Sequence, residues 1–299
     1  MSLLTLVSEP WEDYALLDCG HGRKFERYGA HRLIRPETQA MWAPASAEWR
    51  ADGEFTGAAD EDGGGRWTLA PGLPRAWPLA RGQARFQAQP TPFRHLAFFP
   101  DMAPQWDWML NQVRPGDEVL NLFGYTGLAS LLLAGAGARV THVDASKKSV
   151  EAARANQALS AMGDAPIRWI VDDAAKFAAR EVRRGRRYQG ILLDPPKFGR
   201  GPEGEVWHLE DGLAPLIADL AALLADDARF LVLTAYAIRL SAHALGALLD
   251  LALPPGRVER GEMTVREEAR GLLLPTAIFA RWSAAAGGAI PGAGPVAQR

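Results

Sequence analysis

The residues most able to do chemistry lie in ILLDPPKFG, residues 191–199. Two consecutive prolines lock the backbone and remove two N–H donors, so carbonyls that cannot join a strand ladder are left to face a cleft. The Asp194 carboxylate and the Pro195 carbonyl then become fixed acceptors for a planar amine or a base edge, and Phe198 offers a ring for stacking. Lys197 beside them meets either a phosphate or water. Three other loops share this character. In NLFGYTG, 121–127, Gly124 and Gly127 allow tight turns and close approach of backbone to a ligand, but the three-glycine dinucleotide fingerprint is missing. Asp144, in VDAS, can accept from both hydroxyls of a ribose, or cap a helix that begins at Ser146. Asp172 and Asp173, ahead of Ala174, can accept an adenine amino proton while a backbone N–H meets a ring nitrogen; the alternative is again a helix cap.

Four such loops need a scaffold that brings them to one edge. From residue 118 onward short apolar strands alternate with helices. Strands are predicted over 119–123, 139–144, 167–171, 188–194 and 229–234, and helices over 128–134, 146–162, 174–187, 213–224 and 242–251. Two last strands, 258–266 and 273–282, have too short a connection for a crossover, so one must run antiparallel. The expected architecture is α/β and Rossmann-like: a seven-stranded, mostly parallel sheet with an antiparallel final hairpin and helices on both faces. Ligands of such sheets sit at the carboxyl ends of the strands, where all four motifs fall. A helix is expected over 104–113. Ahead of it, short segments such as 14–18, 24–28 and 66–69, broken by glycine and proline, predict a small β-rich module. The expected division is therefore 1–80 for the module, 81–283 for the main domain and 284–299 for a disordered tail.

Composition narrows the function classes. With 48% hydrophobic residues, ten Trp, eleven Phe and five Tyr, the chain is no solvated, disordered polymer. No apolar run reaches the roughly 18 residues of a membrane span, and the N-terminus lacks the basic start of a secretion signal. A net charge of −2 argues against a nucleic-acid binder that works through a whole-molecule positive field, leaving only local basic surfaces such as the arginines of 180–187. The single cysteine, Cys19, excludes an internal disulfide and a cysteine-cage zinc site, and it fits a reducing cytoplasm. No metal and no membrane partner are expected.

The order NLFGYTG, VDAS, DDAAKF, LDPPKFG resembles the class I S-adenosylmethionine-dependent methyltransferases. More narrowly, it is similar to the bacterial 23S rRNA large-subunit methyltransferase group, over residues ~80–283. That resemblance implies roles. Asn121, Phe123, Gly124, Tyr125, Thr126 and Gly127 would line the methionine end of S-adenosylmethionine. Asp144 would take its ribose, with Ala145 and Ser146 beside the adenine, and Asp172, Asp173 and Ala174 would meet the adenine edge. Asp194 would lie near the donor's amino group and the transferred methyl. HLAFFPDM, 95–102, takes the place of a donor-covering strand, which adds Phe99. The implied reaction is methylation of an RNA (rRNA) base, with S-adenosylhomocysteine as the other product. Asp194, Pro195 and Phe198 would handle the acceptor, Lys197 and Tyr236 would bind it, and Trp207 and His208 would complete its pocket. The fifth strand ends in LTAY without a cysteine, so covalent attack on cytosine C5 is not expected and transfer is direct. The alternatives are a protein or small-molecule acceptor, a nicotinamide oxidoreductase, and a non-catalytic RNA- or protein-binding module with a cofactor-shaped pocket.

Overall fold

Short alternating stretches make strands throughout the first ninety residues. β1 (Leu4–Ser8) stands apart from the next five. β2 (Tyr14–Gly20), β3 (Arg23–Tyr28), β4 (His31–Pro36), β5 (Gly53–Gly57) and β6 (Gly65–Leu69) form one sheet, and β7 (Trp77–Arg81) and β8 (Ala84–Ala88) form a hairpin. These coordinates come from a computed structural model that describes residues 2–57, 65–236 and 239–285. The expected helix over 104–113 is α1 (Ala103–Gln112). The alternation then runs β9 (Glu118–Leu122), α2 (Leu128–Gly135), β10 (Arg139–Asp144), α3 (Lys147–Leu159), β11 (Ile167–Val171), α4 (Ala174–Arg183) and β12 (Gly190–Leu193). It continues through a small hairpin, β13 (Phe198–Arg200) and β14 (Val206–His208), then α5 (Leu209–Leu223), β15 (Phe230–Tyr236), α6 (Ala242–Ala252), β16 (Gly256–Arg266) and β17 (Leu273–Ala284).

The large sheet has the order β1-β16-β17-β15-β12-β9-β10-β11. All of its pairs are parallel except those of β17, which runs antiparallel to both neighbours, as the short final connection requires. Seven of its strands are the expected ones. The eighth is β1, which pairs with β16 from Leu4↔Gly261 to Ser8↔Val265 and so covers the edge of the final hairpin. Gly261 permits that approach, since a Cβ there would run into the Leu4 carbonyl. β9 to β11 are laid outward in one direction and β12 and β15 in the other, so the switch point lies between β9 and β12.

Two layers of apolar side chains cover the sheet. On one face α4, α5 and α6 bury Phe177, Leu216 and Leu245. On the other, Trp106 of α1 and Leu131 of α2 share a single cluster with Tyr14, Tyr28, Leu33, Trp77 and Phe86. The N-terminal module therefore has no core of its own, and residue 80, the expected boundary, falls inside the β7–β8 hairpin. Two local expectations are corrected. The stretch 95–102 is no strand: Ala97 takes φ 65 and Pro100–Met102 forms a 3-10 turn. α4 stops at Arg183, because Gly185 turns left-handed at φ 65. The β13–β14 hairpin was not expected, since three-residue strands carry no readable period. Of the expected tail, 286–299 lie outside the described residues. Among those described, no helix is long and apolar enough to cross a membrane.

Candidate active site

Beyond β9 the chain reverses within five residues, three of them left-handed: Phe123 (φ 54), Tyr125 (φ 50) and Gly127 (φ 82). Two of these carry side chains, a conformation that persists only where its surroundings hold it. Gly124 N donates to Val143 O at 3.1 Å, and Tyr125 N donates to Asp144 Oδ2 at 2.8 Å. Neither glycine can be replaced freely: a Cβ on Gly124 would strike the His142 ring, and one on Gly127 would lie 2.8 Å from Ala153 Cβ. Asp144 Oδ1 accepts from Ser146 N, also at 2.8 Å. Each carboxylate oxygen thus keeps a lone pair for a hydroxyl. Burial outweighs these two bonds and pushes the Asp144 carboxyl above its usual range. Ala145 is half-buried, and Ser146 caps α3 by accepting from Ser149 N at 3.2 Å.

Several of the expected ligand residues also act as braces. Asn121 is buried inside the sheet, and its amide donates to Ser130 Oγ at 2.8 Å; that hydroxyl lies 3.0 Å from His142 Nδ1. It supports the turn from below. Asp172 pairs with Arg180 and gives its N–H to Asp144 O at 3.1 Å, joining the ends of β10 and β11. Asp173 caps α4, accepting from Lys176 N at 2.9 Å through Oδ1. Its Oδ2 and the first-turn N–H of Ala174, which has no partner within the helix, keep hydrogen-bonding capacity at that edge.

The irregular 95–102 stretch lies across this turn. Thr126 Oγ1 donates to Ala97 O at 2.6 Å, and Asn156 Nδ2 donates to Thr126 O at 3.0 Å. The Phe99 ring is 5.9 Å from Tyr125 and 5.3 Å from Tyr236 at the end of β15, so these three meet. His95 joins them, 5.2 Å from Phe99 and 5.5 Å from Tyr125. It was missed from sequence, although the interleaved aromatics of FRHLAFF were a usable signal. Burial first, then Arg35 and Arg94, press its pKa down to about 3, so it is a neutral ring.

Beyond β12, Asp194 is half-buried, Pro195 is buried, and Lys197 and Phe198 are exposed. The β13–β14 hairpin sets Phe198 opposite His208, ring centroids 5.1 Å apart, and the Arg200 guanidinium lies 5.9 Å from the Phe198 ring. Trp207, expected in the acceptor pocket, is instead buried under the corner. It donates to Pro196 O at 2.7 Å and packs 5.1 Å from Phe123, linking the two sides of the cleft. Lys176 pairs with both Glu203 and Glu205, which ties the hairpin to α4. Cys19 is fully buried and donates to Glu267 Oε1 at 3.3 Å. Burial and that carboxylate push its thiol up to about 12, so it supplies no thiolate.

The site therefore joins a strained glycine turn and an amide-bound carboxylate to the Pro-Pro corner, beside which the Phe198 and His208 rings are exposed. No family model matches the chain. A crystal structure named as the SAM-dependent methyltransferase from Agrobacterium tumefaciens is 43% identical, with a TM-score of 0.89 over 94% of this chain and 93% of that one. The ribosomal RNA large subunit methyltransferase K/L of Methylococcus capsulatus is 34% identical over 118 residues, 39% of this chain and 16% of that protein. The ribosomal RNA large subunit methyltransferase I of Shewanella denitrificans is 37% identical over 84 residues, 28% of this chain and 21% of that protein. The match thus spans only 16% and 21% of these two curated relatives.

Proposed function

Because the chain belongs to the S-adenosylmethionine-dependent methyltransferases, we propose that it methylates a base of ribosomal RNA, by direct transfer and in the cytoplasm. The donor half of this proposal rests on Asp144. It is a half-buried carboxylate beside a strained turn, with each oxygen held by one backbone N–H and each still able to accept a hydroxyl. Phe123 to Gly127 would hold the methionine end, Asp144 the ribose, and Asp173 with the Ala174 N–H the adenine. Ala145 and Ser146 would flank the ring.

When bound, the donor supplies an electrophilic methyl carbon on a sulfonium. The residues of this chain supply position and dryness. Asp194 would accept a hydrogen bond from the nucleophilic amine of the base, and the Pro195 carbonyl would accept a second. Phe198 would stack on the base, with Lys197 and Arg200 placed for the adjoining phosphates. Tyr236 and Phe99 would close the cleft from the β15 side. No covalent adduct is required, which agrees with the inert Cys19 thiol.

RNA is favoured over a protein or small molecule by the relatives named for ribosomal RNA and by the exposed, cation-flanked Phe198 ring. The test is transfer of labelled methyl groups into RNA, protein and small-molecule fractions from cells that lack this chain. Label in large-subunit ribosomal RNA is the expected result. Label confined to either other fraction removes RNA as the acceptor.

A further inference from the structure

We propose that the N-terminal β module is a clamp that holds residues 91–99 over the methyl-donor site, with Trp67 and Arg35 as its positioning residues. This rests on the glycine turn being the donor site. Residues 91–99 contain no strand or helix and carry two left-handed non-glycine residues, Arg94 (φ 62) and Ala97 (φ 65). A segment of that kind is not stable alone; its order must be imposed from outside. On one side Thr126, in the turn itself, supplies a hydrogen bond to Ala97 O.

Tyr125 and Tyr236 add ring contacts to His95 and Phe99, and a separate set of tethers comes from the module. Trp67 Nε1 on β6 donates to Thr91 O at 2.7 Å. Arg35 Nη1 on β4 donates to Arg94 O at 3.1 Å, and Arg94 Nη1 donates back to Pro36 O at 3.3 Å. The Tyr28 ring meets Phe98 edge-on at 5.8 Å. Arg35 is itself immobilised. Its guanidinium makes two bonds to the buried Glu26 carboxylate, at 2.7 and 2.8 Å, and one to Tyr28 Oη at 2.6 Å, while Tyr14 Oη donates to Glu26 Oε1 at 2.9 Å. A buried ion pair contributes little net stability, because desolvation offsets its attraction. What this one supplies is a fixed N–H aimed at the Arg94 carbonyl. The segment so held presents His95 and Phe99 to Tyr125. Donor affinity then depends on residues more than fifty positions from the glycine turn, none of which touches the turn in a described contact.

W67F tests the clamp, because it removes the indole N–H and keeps a ring against Phe55. S-adenosylhomocysteine is titrated by calorimetry into the full-length chain, so no acceptor is needed. The expected result is binding weaker by about three- to tenfold, the worth of one hydrogen bond. In the complex, amide exchange across 91–99 should be faster, while kcat at saturating donor stays within about twofold. The double variant E26Q/R35M should move affinity in the same direction without leaving a charge buried and unpaired. Wild-type affinity and exchange in W67F overturn the clamp alone, as does a loosened module that binds the nucleoside normally. A wild-type chain that fails to bind it overturns the donor site and the clamp together.

Discussion

On the β9–β10 side of the cleft, the groups that would meet a ligand are backbone or are held by backbone. Asp144 takes an amide on each oxygen, and the turn above it is pinned by Val143 O and braced by Asn121, Ser130 and His142. On the β12 side they are side chains on a corner and a short hairpin. Lys197 and Phe198 are exposed, and one hydrogen bond from Trp207 and two ion pairs from Lys176 keep the hairpin in place. The contrast teaches a division of labour. A ligand that never varies can be met by geometry built into the main chain, whereas an acceptor is met by side chains that can be exchanged without disturbing a ladder.

The division predicts opposite consequences for two carboxylates. D194A should lower methyl incorporation into RNA by about a thousandfold, within the usual range for a lost proton-handling group, with S-adenosylhomocysteine affinity unchanged by calorimetry. If affinity falls in parallel, the two sides are one unit and the contrast breaks. D144N should do the reverse: affinity falls by about ten- to a hundredfold, the worth of a charged hydrogen bond, and the rate at saturating donor changes much less.

A smaller effect sharpens the acceptor side. F198A should raise the KM for the RNA acceptor about tenfold, one stacked base's worth, and leave the donor KM alone. The smallest effect belongs to the donor side. His142, beneath the turn, is held by burial at a pKa of about 3, as is His95 above it. The folded chain therefore leaves both unprotonated where the unfolded chain, near 6.5, binds protons. Stability is full above about pH 6.5 and falls as pH drops from there toward 3, by about 1 kcal/mol per histidine at pH 6. Denaturant midpoints measured against pH read this slope, and H142N should remove about half of it. An unaltered slope would mean that the turn is not packed on a neutral ring.

The β9–β10 side was the more legible in sequence. The strands over 139–144 and 167–171 fall where the apolar runs placed them, and all four motifs stand at carboxyl ends. Both are short, rich in β-branched and aromatic residues and followed or closed by an aspartate, which marks them even though Arg139, His142 and Arg168 interrupt the apolar pattern. The acceptor side was harder to read. Trp207 reads as a ring near a loop, and nothing in the order of residues says that it lies under the Pro-Pro corner instead of beside the substrate. The bracing role of Asn121 was unreadable for a related reason. In its strand it stands between His142 of β10 and Leu192 of β12, so its amide found Ser130 before any ligand.

By itself the sequence determined the alternation of strands and helices, that one of the last two strands runs antiparallel, and which residue types stand at each strand end. All of these follow from local periodicity and from chain connections too short to cross over. Only the tertiary structure decided that β1 closes the far edge of the sheet, that the module shares its core with the main domain, and that Trp67 and Arg35 reach the segment over the glycine turn. Those pairings join residues far apart in the chain. Their partners are chosen by which surfaces remain unburied once the sheet has formed, and no local pattern carries that information.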